Sequence, residues 1–303
     1  MTSDLSVVIV NWNTGDLLHR CVESLLCTGT ELSIEIIVVD NASTDQSTTA
    51  LNQYRDRIRV VENSANIGFA RACNQGMEMS SGRYVLLVGP DAQVMPGALK
   101  TMVDFMDGHP EAGAAGPSLL YPDGRLQPSG GSFPTFRRLL GIHPLIMHVF
   151  PAAVDPLRRR DFNKVSEVDE VSGACLLIRR AAIEMIGFLD EAFFLYFEDI
   201  DWCLRLKQGG WKVYYLPHAQ IIHHWRSQTD PSPHAQLHYL RSLFYYVRKH
   251  FGGAPHLLLR LVAIAVYGAL TAKAMARCLL DSHPSKRQDL RICRELLAAS
   301  WGY

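Results

Sequence analysis

From residue 5 onward the chain alternates two kinds of apolar spacing. Leu5 to Val10 is an unbroken run rich in β-branched residues, the pattern of a strand buried on both faces. Leu17, Leu18, Cys21, Val22, Leu25 and Leu26 follow at intervals that place them on one stripe of a helix. The exchange then repeats. Ile34 to Val39 predicts a buried strand, a helix is expected from Asp45, and Ile58 to Val61 predicts a short strand. Phe69, Cys73 and Met77 mark a helix, Tyr84 to Val88 a further strand, and Leu99, Met102, Val103 and Met106 a further helix. This β-α-β-α order predicts an α/β fold with a doubly wound, mostly parallel sheet flanked by helices.

In such sheets ligands bind beyond the carboxyl ends of the strands. The predicted strands end in Asn11-Trp12-Asn13, in Asp40-Asn41 and in Gly89-Pro90-Asp91, while the loop after Val61 carries Asn63, Asn66 and Gly68. Polar groups from successive segments are therefore expected on one rim, although Ser43, Thr44 and Asn63 also suit plain turn and capping roles. Between Ala112 and Val168 the periodicity fades. Tyr121 to Arg125 has turn chemistry and Ser129 to Pro134 reads as a loop, so an acceptor-side loop or lid is expected there.

Order returns with a strand over Val171 to Ile178 and a helix over Arg180 to Ile186. The aromatic run Phe193 to Phe197 delivers Glu198, Asp199 and Asp201 to the start of another helix. Asp201 suits a macrodipole or capping role. Glu198 and Asp199 instead stand where an apolar rim would raise one pKa, which makes them candidates for acid-base work. Strands over Trp211 to Leu216 and Ala219 to Ile222 lead to His223-His224-Trp225-Arg226; the two histidines point to opposite faces, so one at most reaches a metal.

Beyond Pro233 a long helix is expected through Leu237, Leu240, Leu243, Phe244, Val247 and Phe251. Leu257 to Ala272 is apolar but interrupted by Arg260, short of the roughly 20 residues of a spanning helix. From Arg241 to Tyr303 there are ten Lys/Arg against three Asp/Glu in a chain whose formal net charge is zero, so the tail is strongly basic. These helices read as interfacial, meeting an anionic membrane surface, or alternatively as an oligomerising face that would give a homodimer. No nucleic-acid partner is expected.

The 303 residues suffice for one large α/β domain with an appendage, and 48% hydrophobic with 20% charged residues is ordinary for a globular enzyme. Seven cysteines without a C-x-x-C pair fit a reducing compartment, and the polar start followed by a short strand does not read as a signal peptide. The expected organisation is a domain over 1–230 in two halves, 1–110 and 111–230, followed by a helical region over 231–303. G-x-G-x-x-G, Walker and G-x-S-x-G signatures are all missing, which removes the dinucleotide oxidoreductases, P-loop enzymes and α/β-hydrolases.

Six stretches in order, Val7 to Asn13, Ile37 to Asp45, Asn66 to Ala70, Gly89 to Ala92, Phe197 to Trp202 and Ile222 to His224, resemble family two of the inverting glycosyltransferases with the GT-A fold, and most closely its bacterial rhamnosyltransferase-like branch. The resemblance implies a transferase that moves a sugar, rhamnose in this branch, from a nucleotide diphosphate donor such as dTDP-rhamnose to a lipid-linked or polysaccharide acceptor of the cell envelope. UDP- and GDP-sugars stay open as donors. It implies that 1–110 is the nucleotide-sugar half and 111–230 the acceptor half of a catalytic domain, that Asn11, Trp12, Asn13, Asp40, Asn41, Asp45 and Asn66 hold the nucleotide, that Asp91 and His223 hold a divalent ion (Mn²⁺ or Mg²⁺), and that Asp199 is the base with Glu198 beside it. Arg226, by its nearness to His223, is a candidate partner for the leaving phosphate. Where the branch shows Asn-Pro-Asp this chain has Gly89-Pro90-Asp91, a thin ligand set that predicts weak metal affinity without donor. The implied location is cytoplasmic, peripheral on the inner face of the membrane. A non-catalytic sugar-nucleotide or glycan-binding subunit and a sugar-phosphate nucleotidylyltransferase stand as the alternatives.

Overall fold

The computed structural model describes residues 3–29, 31–141, 161–224, 233–280 and 283–302. They group into two compact units: the first lies within Met1–Phe133, Pro156–Phe194 and Glu198–Arg226, the second within Pro134–Asp155, Leu195–Phe197 and Ser227–Tyr303.

The first unit is built on a sheet of ten strands among the described residues. Strand β1 (Leu5–Asn11) lies between β2 (Ile34–Asp40) and β4 (Tyr84–Val88), with β3 (Arg59–Glu62) beyond β2, all parallel. The continuous apolar run of β1 has a simple cause. Leu5, Val7 and Ile9 face one core, closed by α1 (Asp16–Thr28) and α3 (Ala98–Gly108); Val8 and Val10 face another, closed by α2 (Phe69–Glu78). A strand covered on both faces needs apolar residues at every position.

Past β4 the chain departs from the plain alternation. After β5 (Ala92–Val94), the stretch read as a lid opens with β6 (Ala112–Leu120), a strand inside the sheet. Its sequence, AGAAGPSLL, lacks β-branched residues because neighbours need the space: a Cβ on Gly113 would sit 2.6 Å from the Trp211 side chain, and one on Gly116 2.6 Å from Val171. Two short strands follow, β7 (Leu126–Gln127) and β8 (Gly130–Gly131), then α4 (Phe136–Gly141) in the second unit. The strand expected over Val171 to Ile178 is cut in two. β9 (Ser166–Val168) and β10 (Glu170–Val171) precede a turn at Ser172 to Ala174, and β11 (Cys175–Arg179) runs antiparallel between β4 and β6.

Next come α5 (Arg180–Ile186) and α6 (Glu198–Gln208). The two strands expected after them are one, β12 (Lys212–His223), with an irregularity between Leu216 and Gln220. The helix expected from Asp45 is a 3-10 helix starting only at Thr49, because the Asp45 carboxylate accepts from the Gly15 and Ser47 amides and holds the preceding loop in turns. Asp201 stands in the first turn of α6, as a macrodipole role requires, and is also fully buried and paired with Arg205 at 2.9 Å.

The second unit contains α7 (Pro233–Phe251), α8 (Gly253–Leu280) and α9 (Pro284–Trp301). The apolar segment expected to stop at Ala272 continues as one helix of 28 residues. By length and composition it is sufficient to cross a membrane; 17% of its most apolar window is buried in the fold. Leu195 to Phe197 group with this unit through ring contacts of Phe197 with Tyr239 and Tyr246, 5.3 Å between centroids, and a bond from the Ser242 hydroxyl to the Leu195 carbonyl.

Candidate active site

The strand directions place one set of ends on a single edge of the sheet. Asn11 lies opposite Asp40, Val88 opposite Cys175, and His223 opposite Ala92. The carboxyl ends of β1, β2, β4 and β12 and the turn before β11 therefore share that edge, where a parallel sheet offers its crevice.

At the β1 and β2 ends two loops are stitched together. The Asn11 side chain is fully buried and donates to Asp40 Oδ1 at 2.7 Å, Ser43 Oγ at 3.0 Å and Ser47 Oγ at 2.8 Å. Asp40 also accepts from the Ser43 hydroxyl and amide. Asn13, at φ 53°, accepts from the amides of Thr44 and Asp45. Asn41 donates to Asn66 Oδ1 and the Gly68 carbonyl while accepting from Asn63 and the Ile67 amide, which pins the loop after β3. Of the sequence candidates here, Asn11 and Asn41 are consumed by this scaffold. Trp12, at 52% exposure, is left open to a ligand; Asp45 is exposed while its carboxylate accepts from the Gly15 and Ser47 amides, and Asn13 and Asn66 lie half-buried. Ser43, named from the sequence only for a turn or capping role, and Ser47, not singled out there, both belong to the same network; serines in a loop carry no distinctive spacing.

At the β4 and β12 ends, His223 Nε2 lies 3.4 Å from Asp91 Oδ1. Gln127 supplies the missing part of this pair: its carboxamide oxygen is 2.7 Å from His223 Nδ1. That oxygen can only accept, so Nδ1 carries a proton and Nε2 is the nitrogen turned towards the carboxylate. The nitrogen and the carboxylate oxygen are close enough to share one cation, and an imidazole fixed by a hydrogen bond at its other nitrogen is the usual support of a metal-binding histidine. The residues thus fit a divalent ion, but sparsely: among the described residues no cluster of three His, Cys, Asp or Glu could hold one. Gly89 belongs to this geometry, because a Cβ there would come 2.9 Å from Asp91 Oδ1. His224 meets Asp91 through its backbone amide. Arg226 lies outside the described residues.

Asp199 reaches the same edge. Its carboxylate accepts from the Gly173 amide and from its neighbour Ile200, each at 2.8 Å, and Gly173 adjoins Ala174, whose carbonyl takes the Gly89 amide. A Cβ on Gly173 would press on Asp199 at 3.3 Å, so glycine lets the turn close on the carboxylate. Before it, Tyr196 and Phe197 adopt φ 71° and 70°, a disfavoured conformation for such residues that turns the chain into α6. Burial pushes the Asp199 carboxyl up, with the amide bonds opposing, and pushes Glu198 up much further, reinforced by the charge of Asp199. Glu198 Oε2 is buried without a hydrogen-bond partner. Two adjacent carboxyls in one dry place share their protons unequally, and the stronger upward push on Glu198 makes Asp199 the readier of the two to ionise.

The sequence profile described as glycosyl transferase family 2 matches residues 6–187, more than half of the chain. This chain belongs to that family. The N-acetylglucosaminyl-diphospho-decaprenol L-rhamnosyltransferase of Mycobacterium tuberculosis is 32% identical over 83% of this chain and 87% of its own. Among solved structures, the mannosyltransferase PcManGT of Pyrobaculum calidifontis, in complex with GDP-Man and Mn²⁺, superposes with a TM-score of 0.57 at 16% identity, over 99% of this chain and 87% of that one. TarS of S. aureus gives a TM-score of 0.54 at 18% identity over 81% of this chain, which spans 40% of TarS. At those identities the structures speak for the fold alone, which is GT-A-like. The chain is a rhamnosyltransferase-like glycosyltransferase.

Proposed function

We propose that the transferase moves a deoxyhexose of the rhamnose type from a nucleoside diphosphate donor to a lipid-linked, diphosphate-bearing glycan acceptor, with inversion. The carrying observation is the gathering of Asp91, His223 and Asp199 on one sheet edge beside the exposed Trp12 and Asp45. The Mycobacterium tuberculosis relative, named for an L-rhamnosyl transfer onto a diphospho-decaprenol, supports the substrate class.

Asp199 takes the proton of the attacking hydroxyl, and Glu198, kept neutral, leaves it as the ionised partner. Asp91 and His223 are the residues that would hold a divalent ion, which would supply positive charge for the leaving diphosphate. Gln127 keeps the imidazole turned to that duty. Trp12, Asn13, Asp45 and Asn66 line the nucleotide side, with Asp40 and Asn11 holding their loops in place. Single displacement needs one working carboxylate, whereas hydrolysis would call for two across the scissile bond. The catalytic domain runs over 1–230 and the helical region over 231–303, and the protein works peripherally at the inner face of the cytoplasmic membrane.

The deciding experiment offers radiolabelled dTDP-rhamnose, UDP-sugars and GDP-sugars to the full chain with a polyprenyl-diphosphate-linked N-acetylglucosamine, with and without Mn²⁺, and reads the anomeric configuration of the product by NMR. Transfer from dTDP-rhamnose with inversion is expected. Retention of configuration would remove Asp199 as base, and donor binding without product would favour a glycan-binding subunit.

A further inference from the structure

A buried polar side chain in the middle of a helix needs a reason, and Asn74 in α2 has one. Asparagine is a poor helix former, and its carboxamide is costly to bury without partners. Asn74 is 4% exposed, and both polar atoms of its side chain are used outside its own helix. Nδ2 donates to the Leu189 carbonyl at 2.9 Å and to Glu191 Oε1 at 3.0 Å, while Oδ1 accepts from the Leu189 amide at 3.0 Å. The same segment is held again where α2 begins. The Phe69 amide donates to the Phe194 carbonyl at 2.7 Å, and Gly68, at φ 91°, gives Phe194 the room: a Cβ there would stand 2.9 Å from that carbonyl oxygen.

Helix α6 grips the same stretch of chain. Trp202 Nε1 donates to the Gly187 carbonyl at 2.9 Å, and Arg205 donates to the carbonyls of Ile186 and Phe188 at 2.9 and 2.8 Å. Residues 186–194 are therefore a bridge between two helices, bonded to α2 by Asn74 and the Phe69 amide and to α6 by Trp202 and Arg205. The two helices begin at the two sides of the site. α2 follows directly on the 66–68 loop, which Asn41 pins to the end of β2, and α6 opens with Glu198 and Asp199. We infer that Asn74 is a positioning residue for sugar transfer: through Leu189 and the bridge it fixes Asp199 against the donor-side loop, being itself too buried to meet substrate. This rests on the reading of Asp199 as the base and adds the residue that sets its place.

The test is steady-state transfer by the full chain from dTDP-rhamnose to polyprenyl-diphosphate-linked N-acetylglucosamine, with donor affinity read by calorimetry. Asn74→Ala should lower kcat by roughly tenfold to a hundredfold, the scale on which a displaced group costs rate, and leave donor KM and affinity near wild type. Alanine suits a helix better than asparagine; if the lost bonds nevertheless keep that variant from folding, Asn74→Ser, whose hydroxyl can return to its own helix, takes its place. Because Asn74 acts through Asp199, adding Asn74→Ala to Asp199→Asn should cost little further. Three results would overturn the inference: an unchanged kcat, a kcat loss matched by the loss of folded protein in circular dichroism, or the same loss repeated in the Asp199→Asn background. Full turnover in Asp199→Asn alone is a different failure, that of the base itself, and is read on that variant before Asn74 is changed.

Discussion

At the scale of single residues, the pair Glu198 and Asp199 makes the firmest claims. If Asp199 takes the acceptor proton, Asp199→Asn should lower turnover about a hundredfold or more while nucleotide-sugar binding, followed by calorimetry, stays near the wild-type value. Full turnover in that variant would leave the base unassigned. Both carboxyls are pushed up by burial, so the acid limb of the rate profile should lie above the ordinary aspartate range. The same shift carries a sign for stability. A carboxyl whose folded pKa exceeds its unfolded one supports folding fully below the unfolded value, and that support is lost as pH rises through the folded value. Glu198→Gln cannot ionise, so its urea midpoint should gain on the wild type as pH climbs above the usual glutamate range. Midpoints that stay parallel would show that Glu198 carries no such burden. Gln127 makes a separate claim. It is buried and supports His223 through a single carboxamide oxygen, so if His223 holds the metal, Gln127→Leu should weaken Mn²⁺-dependent donor binding by roughly tenfold to a hundredfold, the usual scale for a residue behind a metal ligand.

At the scale of elements, β1, β2 and β4 were legible because full burial on two faces writes itself as an apolar run that little else produces. β6 was not, since its Gly113 and Gly116 are shaped by Trp211 and Val171 from distant segments, and small residues leave no periodic mark. The helix expected from Asp45 gave way to side-chain bonds that no window of sequence displays, and α8 ran on because Lys273 and Arg277 are exposed and need not be buried to continue it. The same division holds at the site. Asp91, His223 and Asp199 stood out by charge after strands or at a helix start, whereas Gln127 and Gly173 acquire meaning only from what they touch. A glycine inside α2 tests how far local propensity yields to packing. In a free helix Gly76→Ala would gain about 1 kcal/mol. Here the new methyl would meet Val8 Cγ1 at 2.4 Å, and a buried β-branched side chain has little rotamer freedom with which to retreat. The expected outcome is a loss of about 1–3 kcal/mol, read from denaturant midpoints. A more stable Gly76→Ala protein would mean that α2 sits further from β1 than described.

At the scale of the whole molecule, the site exists only because the sheet collects ends from the length of the chain. Asp91 follows the fourth strand and His223 closes the twelfth, and the short β5 between them pairs Ala92 with His223 to bring the two together. Residues that share one ion through such an arrangement act as a unit, so their losses should not add. With Asp91→Ala, the remaining imidazole has no carboxylate to complete the first coordination partner; with His223→Ala, the carboxylate alone leaves nearly everything to diphosphate and water. Either change should remove most of the Mn²⁺ dependence of donor binding, and the second should then cost little more, giving a coupling of about 0.5–3 kcal/mol in a double-mutant cycle read by calorimetry at fixed donor and varied Mn²⁺. Additive losses would mean that Asp91 and His223 serve separate events. Their approach to 3.4 Å would then be a feature of packing alone, and the leaving group would need another source of charge.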